Sequence, residues 1–305
     1  GDFAGKYFDF VYVYDSYFMM VYFVKEVQRY LIHILGSMIH TEYFAILAKF
    51  LSKSLVVTEF YDVASLCLYR EDAQEVWAKG DVELGFFSEK FACEKSDGVI
   101  LGYSPEAEQM LRNCYDIRIP MLEFHSYACN EFISESNEKY SDLDGKIHIV
   151  YGGMVTPSHV SAKRFGDTQC HHLVETITKQ GIYFDIYLSP NYNQFRTKQL
   201  FGDYLLRART NFLFNFKGGL PLDEAPKEFS RYDFGAMAYL FDRGASLEGQ
   251  NRTRLSTKLF TYLEAGLPII VSEEFQYAAK LVKEHGIGIV VSKKDLDNLH
   301  EIISS

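Results

Sequence analysis

The stretch LSTKLFTYLEAGLPIIVS, residues 255–272, decides the fold, because it reads as a short helix, a sharp stop and a buried strand. Ser256 is placed as an N-cap, and Leu259, Phe260 and Leu263 recur at the spacing of one buried helical face. Gly266 stands where a helix takes a left-handed terminal residue, and Pro268 bars continuation. Ile269, Ile270 and Val271 form a β-branched run, as in a parallel strand covered on both faces. The helix start is basic, with Arg252, Arg254 and Lys258 close together. Unpaired first-turn amides and aligned peptide dipoles favour an anion at such a point. Helix start plus clustered cations predicts a phosphate or diphosphate pocket.

Outward from this stretch the second half continues as strands alternating with helices. Strands are expected at residues 146–151 (KIHIVY), 182–188, 211–214, 233–241 and 287–291, and helices at 168–179, 198–207, 274–285 and 295–303. That series amounts to a nearly complete doubly wound domain, whose ligand crevice lies outside the carboxyl ends of its strands. Residues 130–145 (NEFISESNEKYSDLDG) are polar and acidic and form the candidate linker. The first half is expected to hold strands at 9–14 (DFVYVY), 54–60 (SLVVTEF), 98–103 (GVILGY) and 119–124 (IPMLEF). Residues 17–51 read as one or two amphipathic helices broken near Gly36, and 105–114 as a further helix. Alternation of this kind implies right-handed crossovers and a parallel sheet.

Composition narrows the classes. A chain of 305 residues, 48% hydrophobic, has material for two globular domains. A net charge of −10 argues against nonspecific nucleic-acid binding, which needs a basic footprint. Five cysteines without a Cys-x-x-Cys pair point to a reducing compartment and no structural zinc. Residues 8–24 are the most apolar N-terminal stretch but contain Asp9 and Asp15, too short and polar for a spanning helix. A cytoplasmic location, with or without peripheral membrane attachment, is expected.

Ser256-Thr-Lys-Leu-Phe-Thr-Tyr-Leu-Glu-Ala-Gly-Leu-Pro-Ile-Ile270 resembles the donor-site helix and following strand of GT-B glycosyltransferases. It is most similar to the large retaining group called family four. The resemblance is specific at this helix and only suggestive elsewhere, from about Phe8 to the C-terminus. It implies an α/β, GT-B-like fold of two Rossmann-type domains with parallel sheets and a cleft between them. Residues 1–129 would be the acceptor-side domain, 130–145 the linker and 146–305 the nucleotide-sugar domain. The first strands and the Gly-rich acceptor loop have no counterpart in this sequence, so the N-terminal domain reads as incomplete. Residues 8–14 would then be an apolar edge needing cover from a second chain.

The resemblance also implies roles for particular residues, each with a plainer rival. Gly152-Gly153 after KIHIVY is similar to the family's glycine turn, whose amides approach a donor phosphate; it also suits an ordinary loop. Lys163 and Arg164 would neutralise the leaving diphosphate, or simply face water. Lys258 matches a motif lysine on the diphosphate, with Arg252 and Arg254 in support. Gly219-Leu220 would hold the edge of the donor base by backbone contacts, while Asp233 fixes the loop.

Two family glutamates have no equivalent, because their positions fall on Thr253 and Thr261. A threonine hydroxyl can accept a ribose hydrogen bond but carries no charge. Glu264, three residues after Thr261, is the nearby carboxylate and does not simply replace the missing one. On the acceptor side Glu59 and Asp62 are candidates to orient a hydroxyl or to cap a helix, and Phe60 stands where relatives place a histidine. His125 would line the interdomain cleft, or be a surface or a satisfied histidine. Cys170-His171-His172 makes a poor metal site, since adjacent helical residues diverge.

The implied activity is transfer of a sugar from a nucleoside diphosphate sugar, UDP- or GDP-linked, to a glycan or lipid-linked hydroxyl. It would retain configuration and use no cofactor or bound metal, and no residue is identified as catalytic base. The alternatives are a noncatalytic or carbohydrate-binding relative and a sugar-nucleotide epimerase.

Overall fold

The computed structural model describes residues 8, 22, 24–25, 31–37, 43–67, 79–135, 137–160, 168–239 and 248–304. The chain divides into two compact units, Gly1–Ser65 with Arg70–Phe124, and Leu66–Tyr69 with His125–Ser305. The expected strand at residues 9–14 lies outside the described residues.

The first unit contains β1 (Leu31–Ser37), α1 (Tyr43–Leu51), β2 (Leu55–Asp62), α2 (Ala64–Cys67), α3 (Lys79–Lys95), β3 (Gly98–Leu101), α4 (Pro105–Cys114) and β4 (Met121–Glu123). The four strands form one parallel sheet in the order β1-β2-β3-β4. Along β2 the inward positions Val56, Thr58 and Phe60 are buried, and Thr58 meets Ser96 at 2.9 Å. Asp97 ties the unit together at the head of β3, accepting from Val56 N at 2.7 Å and Lys49 Nζ at 2.9 Å.

Two expectations for this unit are corrected. Leu31–Ser37 (LIHILGS) is a strand, not part of a helix, and pairs from Leu31↔Leu55 to Ser37↔Asp62. Leu31, His33 and Leu35 are exposed and the residues between them are less so, a two-residue period hidden inside a mostly apolar run. Helix α3 was not anticipated. Its buried stripe runs Val82, Gly85, Phe86, Glu89, Ala92, Cys93, and a buried glutamate disguises the apolar period.

The second unit opens with a 3-10 turn at Asn130–Phe132 and α5 (Tyr140–Asp144). There follow β5 (His148–Gly152), α6 (His171–Thr178), β6 (Tyr183–Leu188), α7 (Gln194–Leu200), α8 (Gly202–Thr210) and β7 (Phe214–Gly219). Next come α9 (Ala225–Phe229), β8 (Phe234–Met237), α10 (Glu248–Thr253), α11 (Thr257–Glu264) and β9 (Ile269–Ser272). The chain closes with α12 (Gln276–His285), β10 (Gly288–Val291), α13 (Lys293–Leu296) and α14 (Leu299–Ser304).

Its six strands are parallel in the order β10-β9-β8-β5-β6-β7. Read from β7, this is the doubly wound order 3-2-1-4-5-6, with the topological switch between β5 and β8. The core lies under the central strands, where Ile149, Val150, Phe184, Ala236, Ile269 and Ile270 are buried together.

Local boundaries moved in physically intelligible ways. The helix expected at 198–207 is two, α7 and α8, meeting at Phe201, which is the C-cap of one and N-cap of the other. The strand expected at 211–214 begins at Phe214 and runs to Gly219, because Asn211 turns back to accept from Phe214 N at 3.1 Å. The last helix is broken into α13 and α14. Segment 130–145 is not free chain: Tyr140 N donates to Arg231 O at 2.8 Å and Ser141 Oγ to Asp233 at 2.6 Å. Among the described residues no helix is long and apolar enough to cross a membrane.

Candidate functional site

The carboxyl end of β5 meets the start of α11 at the switch point. Ser256 has the extended backbone of an N-cap, and its Oγ accepts from Lys258 N at 3.4 Å. The next backbone donor, Leu259 N, reaches Ser256 O at 3.1 Å. Thr257 N has no hydrogen-bond partner among the described residues, so the helix start retains donor capacity.

Helix α11 lies unusually close to the sheet. A Cβ added at Gly235 on β8 would run into the ring of Tyr262, well inside van der Waals contact. From that seat the Tyr262 hydroxyl donates to Ala236 O at 3.0 Å and accepts from Gly152 N at 3.0 Å. Burial pushes the Tyr262 phenol up, so it stays neutral and keeps both bonds.

Lys258 folds inward. A Cβ on Gly153 would come 2.5 Å from its Cε and 2.9 Å from its Nζ, so the lysine stem lies across the bare glycine. Gly153 has φ +148, a backbone few side chains tolerate, which is a second reason for glycine there. The ammonium stands 5.3 Å from the centroid of the Tyr151 ring, a cation–π placement. Tyr151 is fully buried and its hydroxyl is engaged with Met154 O at 2.8 Å and Tyr239 Oη at 3.0 Å. Burial first, and then Tyr239, raises its phenol far above the ordinary value. The ring is thus a fixed neutral platform under a cation.

The structure brings Lys258 and the Gly152-Gly153 turn together, but in a different sense from the expected one. Neither glycine amide is open to a phosphate, since Gly152 N bonds Tyr262 Oη and Gly153 N bonds Tyr187 O at 2.9 Å. The glycines contribute room rather than donors. Arg252 lies in the last turn of α10 and Arg254 follows the helix, both half-buried, while Lys163 and Arg164 lie outside the described residues.

At the expected base site the backbone donors are also committed. Gly219 N bonds Tyr192 O at 3.0 Å and Leu220 N bonds Leu188 O at 3.1 Å. Any contact from these two therefore falls to their carbonyl oxygens. Asp233 is structural, accepting from His148 N at 2.8 Å and from Ser141 Oγ.

The structure does not present Glu264 to a ligand. It is 6% exposed, its Oε1 accepts from Cys129 N at 2.7 Å, and its own carbonyl accepts from Ser134 N at 2.9 Å. Thr253 is fully buried with its hydroxyl on Gly249 O at 2.7 Å, and Thr261 turns its hydroxyl back to Thr257 O at 3.4 Å. Thr253 is thus sealed from a ligand, while the partly exposed Thr261 hydroxyl keeps its acceptor lone pairs.

Elsewhere, Glu59 pairs with His33 of β1 at 2.8 Å, so it holds the sheet rather than capping a helix. Asp62 ends β2 opposite Ser37 at a register shift, and Phe60 is core. His125 Nε2 meets Tyr277 Oη at 3.2 Å with the two rings 5.4 Å apart. His171 pairs with Asp203 at 2.8 Å and stacks on Tyr204, whereas His172 meets Thr176 at 3.4 Å. Among the described residues no three His, Cys, Asp or Glu side chains converge as metal ligands.

No curated protein matches the chain. Residues 188–305 match the family described as Glucosyltransferase 3-like, C-terminal domain. Among solved structures, HepE of Anabaena with UDP and glucose aligns at TM-score 0.58 and 13% identity, over 94% of this chain and 70% of that one. The UDP-forming α,α-trehalose-phosphate synthase of Burkholderia vietnamiensis aligns at TM-score 0.60 and 11% identity, over 94% and 66%. A Staphylococcus aureus TarM variant with fondaparinux, α-GlcNAc-glycerol and UDP aligns at TM-score 0.56 and 12% identity, over 92% and 50%. The chain thus spans between 50% and 70% of the length of these three structures. Two parallel α/β sheets in these orders, aligned over nine-tenths of the chain, give it the GT-B fold of the glycosyltransferases, with residues 188–305 similar to the C-terminal domain of glucosyltransferase 3-like proteins.

Proposed function

We propose that this chain is a glycosyltransferase that takes a sugar from a nucleoside diphosphate sugar and passes it to a hydroxyl of a glycan or lipid-linked acceptor. The observation that carries the reading is Lys258, drawn in across Gly153 and over Tyr151 beside the N-terminus of α11. As the bond from the anomeric carbon to the diphosphate oxygen breaks, negative charge builds on the diphosphate. A cation already in place and a helix start with donor capacity stabilise that charge without rearranging. UDP in two of the similar structures makes UDP-sugars the first donors to try. Retention of configuration and independence from metals belong to the same proposal.

A second reading is a donor-binding relative that does not transfer. It is favoured by the buried, internally bonded Thr253 and the back-bonded Thr261, at positions where the resembled group carries glutamates. Calorimetry with UDP and GDP, beside sugar-release and transfer assays on wild type and Lys258→Ala, separates the two. Binding and turnover, both lost in the variant, support the transferase. Binding without turnover supports the second reading, and no binding at all refutes both.

A further inference from the structure

Helices α7 and α8 act as one amphipathic rod bent at Phe201. The main-chain ladder runs through the bend, with Phe201 N on Thr197 O and Leu205 N on Phe201 O, each at 3.0 Å. Thr197, Phe201, Tyr204 and Ala208 therefore share one side at helical spacing, and the first three are buried. Phe201 and Tyr204 pack on Phe216 of β7, which turns the opposite side outward.

That outward side repeats at the same spacing. Phe195, Lys198, Gly202, Leu206 and Arg209 are all exposed, and Phe212 stands just past the end. Phe195 is 74% exposed, Leu206 62% and Phe212 78%, on a stripe where a water-facing helix carries polar residues.

The charge departs from the rest of the chain as well. Residues 194–212 hold four cations, Arg196, Lys198, Arg207 and Arg209, against one acid, Asp203. That is +3 within a chain of −10, which leaves −13 for the remaining residues. Asp203 is drawn off the stripe, accepting from Ser158 N at 2.7 Å and meeting His171 Nε2 at 2.8 Å. Arg207 faces Glu175 at 3.7 Å, whereas Lys198 and Arg209 meet no carboxylate among the described residues.

We propose that the outward side of α7–α8 docks on a bilayer containing anionic lipid. Phe195, Leu206 and Phe212 enter the boundary between headgroups and acyl chains, and Lys198 and Arg209 meet lipid phosphates. Charge complementarity selects this occupant. An anionic headgroup layer over hydrocarbon offers both things the stripe asks for, negative charge and an apolar sink for separate side chains. A nucleic acid offers the charge without the sink. The acidic remainder of the chain is repelled by the same lipid, so this side orients the approach. The assignment stands on the exposed stripe alone and holds whether or not the chain turns over a sugar donor.

Co-sedimentation with extruded vesicles tests it. The chain is expected to bind vesicles of three parts phosphatidylcholine to one part phosphatidylglycerol, to ignore phosphatidylcholine alone, and to be weakened by about 0.5 M sodium chloride. A cation beside an anionic bilayer contributes roughly fivefold to partitioning, so Lys198→Glu with Arg209→Glu should weaken binding at least about 25-fold. Phe195→Ser with Phe212→Ser should weaken it at least about tenfold at unchanged charge. All four positions are exposed, so both variants should keep the parent melting temperature. Lys283→Glu with Lys294→Glu makes the same charge change at exposed positions of α12 and α13 and should bind as wild type. An equal loss in that control makes net charge the cause and overturns the assignment. So do absence of binding to the anionic vesicles, equal binding to phosphatidylcholine alone, or full binding by either stripe variant. Binding of polyglutamate but not of vesicles, lost with Lys198 and Arg209, would give the face to an acidic protein instead.

Discussion

Replacing Gly153 by alanine tests how this site is built, because two separate effects converge on one methyl group. The backbone effect comes from φ +148, a region nearly closed to side chains, where a non-glycine residue costs on the order of 1–3 kcal/mol. For a domain of this size that is roughly 2–12 °C in melting temperature. The steric effect falls on the far end of Lys258, whose Cε would be 2.5 Å from the new methyl. A flexible stem moves aside cheaply, so this effect adds little to stability but carries the ammonium off its place. If that ammonium makes a charged hydrogen bond to the diphosphate, losing it costs about 1.5–3 kcal/mol, or about 10- to 150-fold in Kd.

A double-mutant cycle of Gly153→Ala and Lys258→Ala therefore has a split outcome. In thermal unfolding the destabilisation should belong to Gly153→Ala alone and persist in the double variant. In UDP titration each single variant should lose affinity similarly, and the double variant should lose little more than either. Binding losses that multiply in the double variant, or a Gly153→Ala protein that binds as wild type, would refute the idea that Gly153 acts through Lys258.

Three further outcomes are expected. Tyr262→Phe leaves Gly152 N and Ala236 O without their shared partner in the core, and should cost about 1–3 kcal/mol in urea unfolding. Gly219→Ala sets a methyl 2.7 Å from Tyr192 O and 2.8 Å from Ser189 O, and should cost a similar 1–3 kcal/mol while weakening nucleotide binding in the same titration. Glu89 is fully buried, and that burial raises its carboxyl above the ordinary value despite bonds from Ser65 N and from Tyr115 Oη at 2.8 Å. With the folded pKa above the unfolded one, the native state binds the extra proton, so this group's contribution is full below the unfolded pKa and is lost as pH rises through the folded one. Glu89→Gln should therefore gain stability over wild type toward neutral pH and show no advantage in acid, as followed by thermal unfolding across that range.

Legibility followed the strength of the local pattern. The α11–β9 stretch was readable because cap, apolar stripe, terminal glycine and proline agree, and Ser256 and Gly266 (φ +67) take those conformations. From that register the six-stranded domain could be built outward, since β5, β8 and β10 are short, mostly apolar runs like β9. Leu31–Ser37 misled because Ile and Leu suit either element and seven residues hold less than two helical turns. Helix α3 was hidden by Glu89 and Ser88 on its buried face. At the site, Lys258 and the two glycines were legible as a motif. What Gly152 N and Gly153 N do was not, because Tyr262 and Tyr187 are distant in sequence and only packing aims their oxygens. The Ser189–Leu200 segment carried no motif at all: its polar residues look like a loop until Gly219 and Thr197 are seen holding Tyr192.

The distribution of charge around α11 bears on what the site can do. Where the resembled group carries two carboxylates, this chain carries Thr253, sealed in the core, and Thr261, bonded to its own helix. The remaining carboxylate, Glu264, is spent on Cys129 N. None of these three positions turns a free carboxylate toward the start of α11. A nucleotide-sugar bound as proposed would find no ionic anchor for its ribose at these positions, so neutral contacts would orient it. If the chain transfers sugar as proposed, turnover depends on how firmly those neutral contacts hold the nucleoside. Under the proposed function, hold on the diphosphate and alignment of the sugar are then separate contributions, measured by Kd and by turnover respectively.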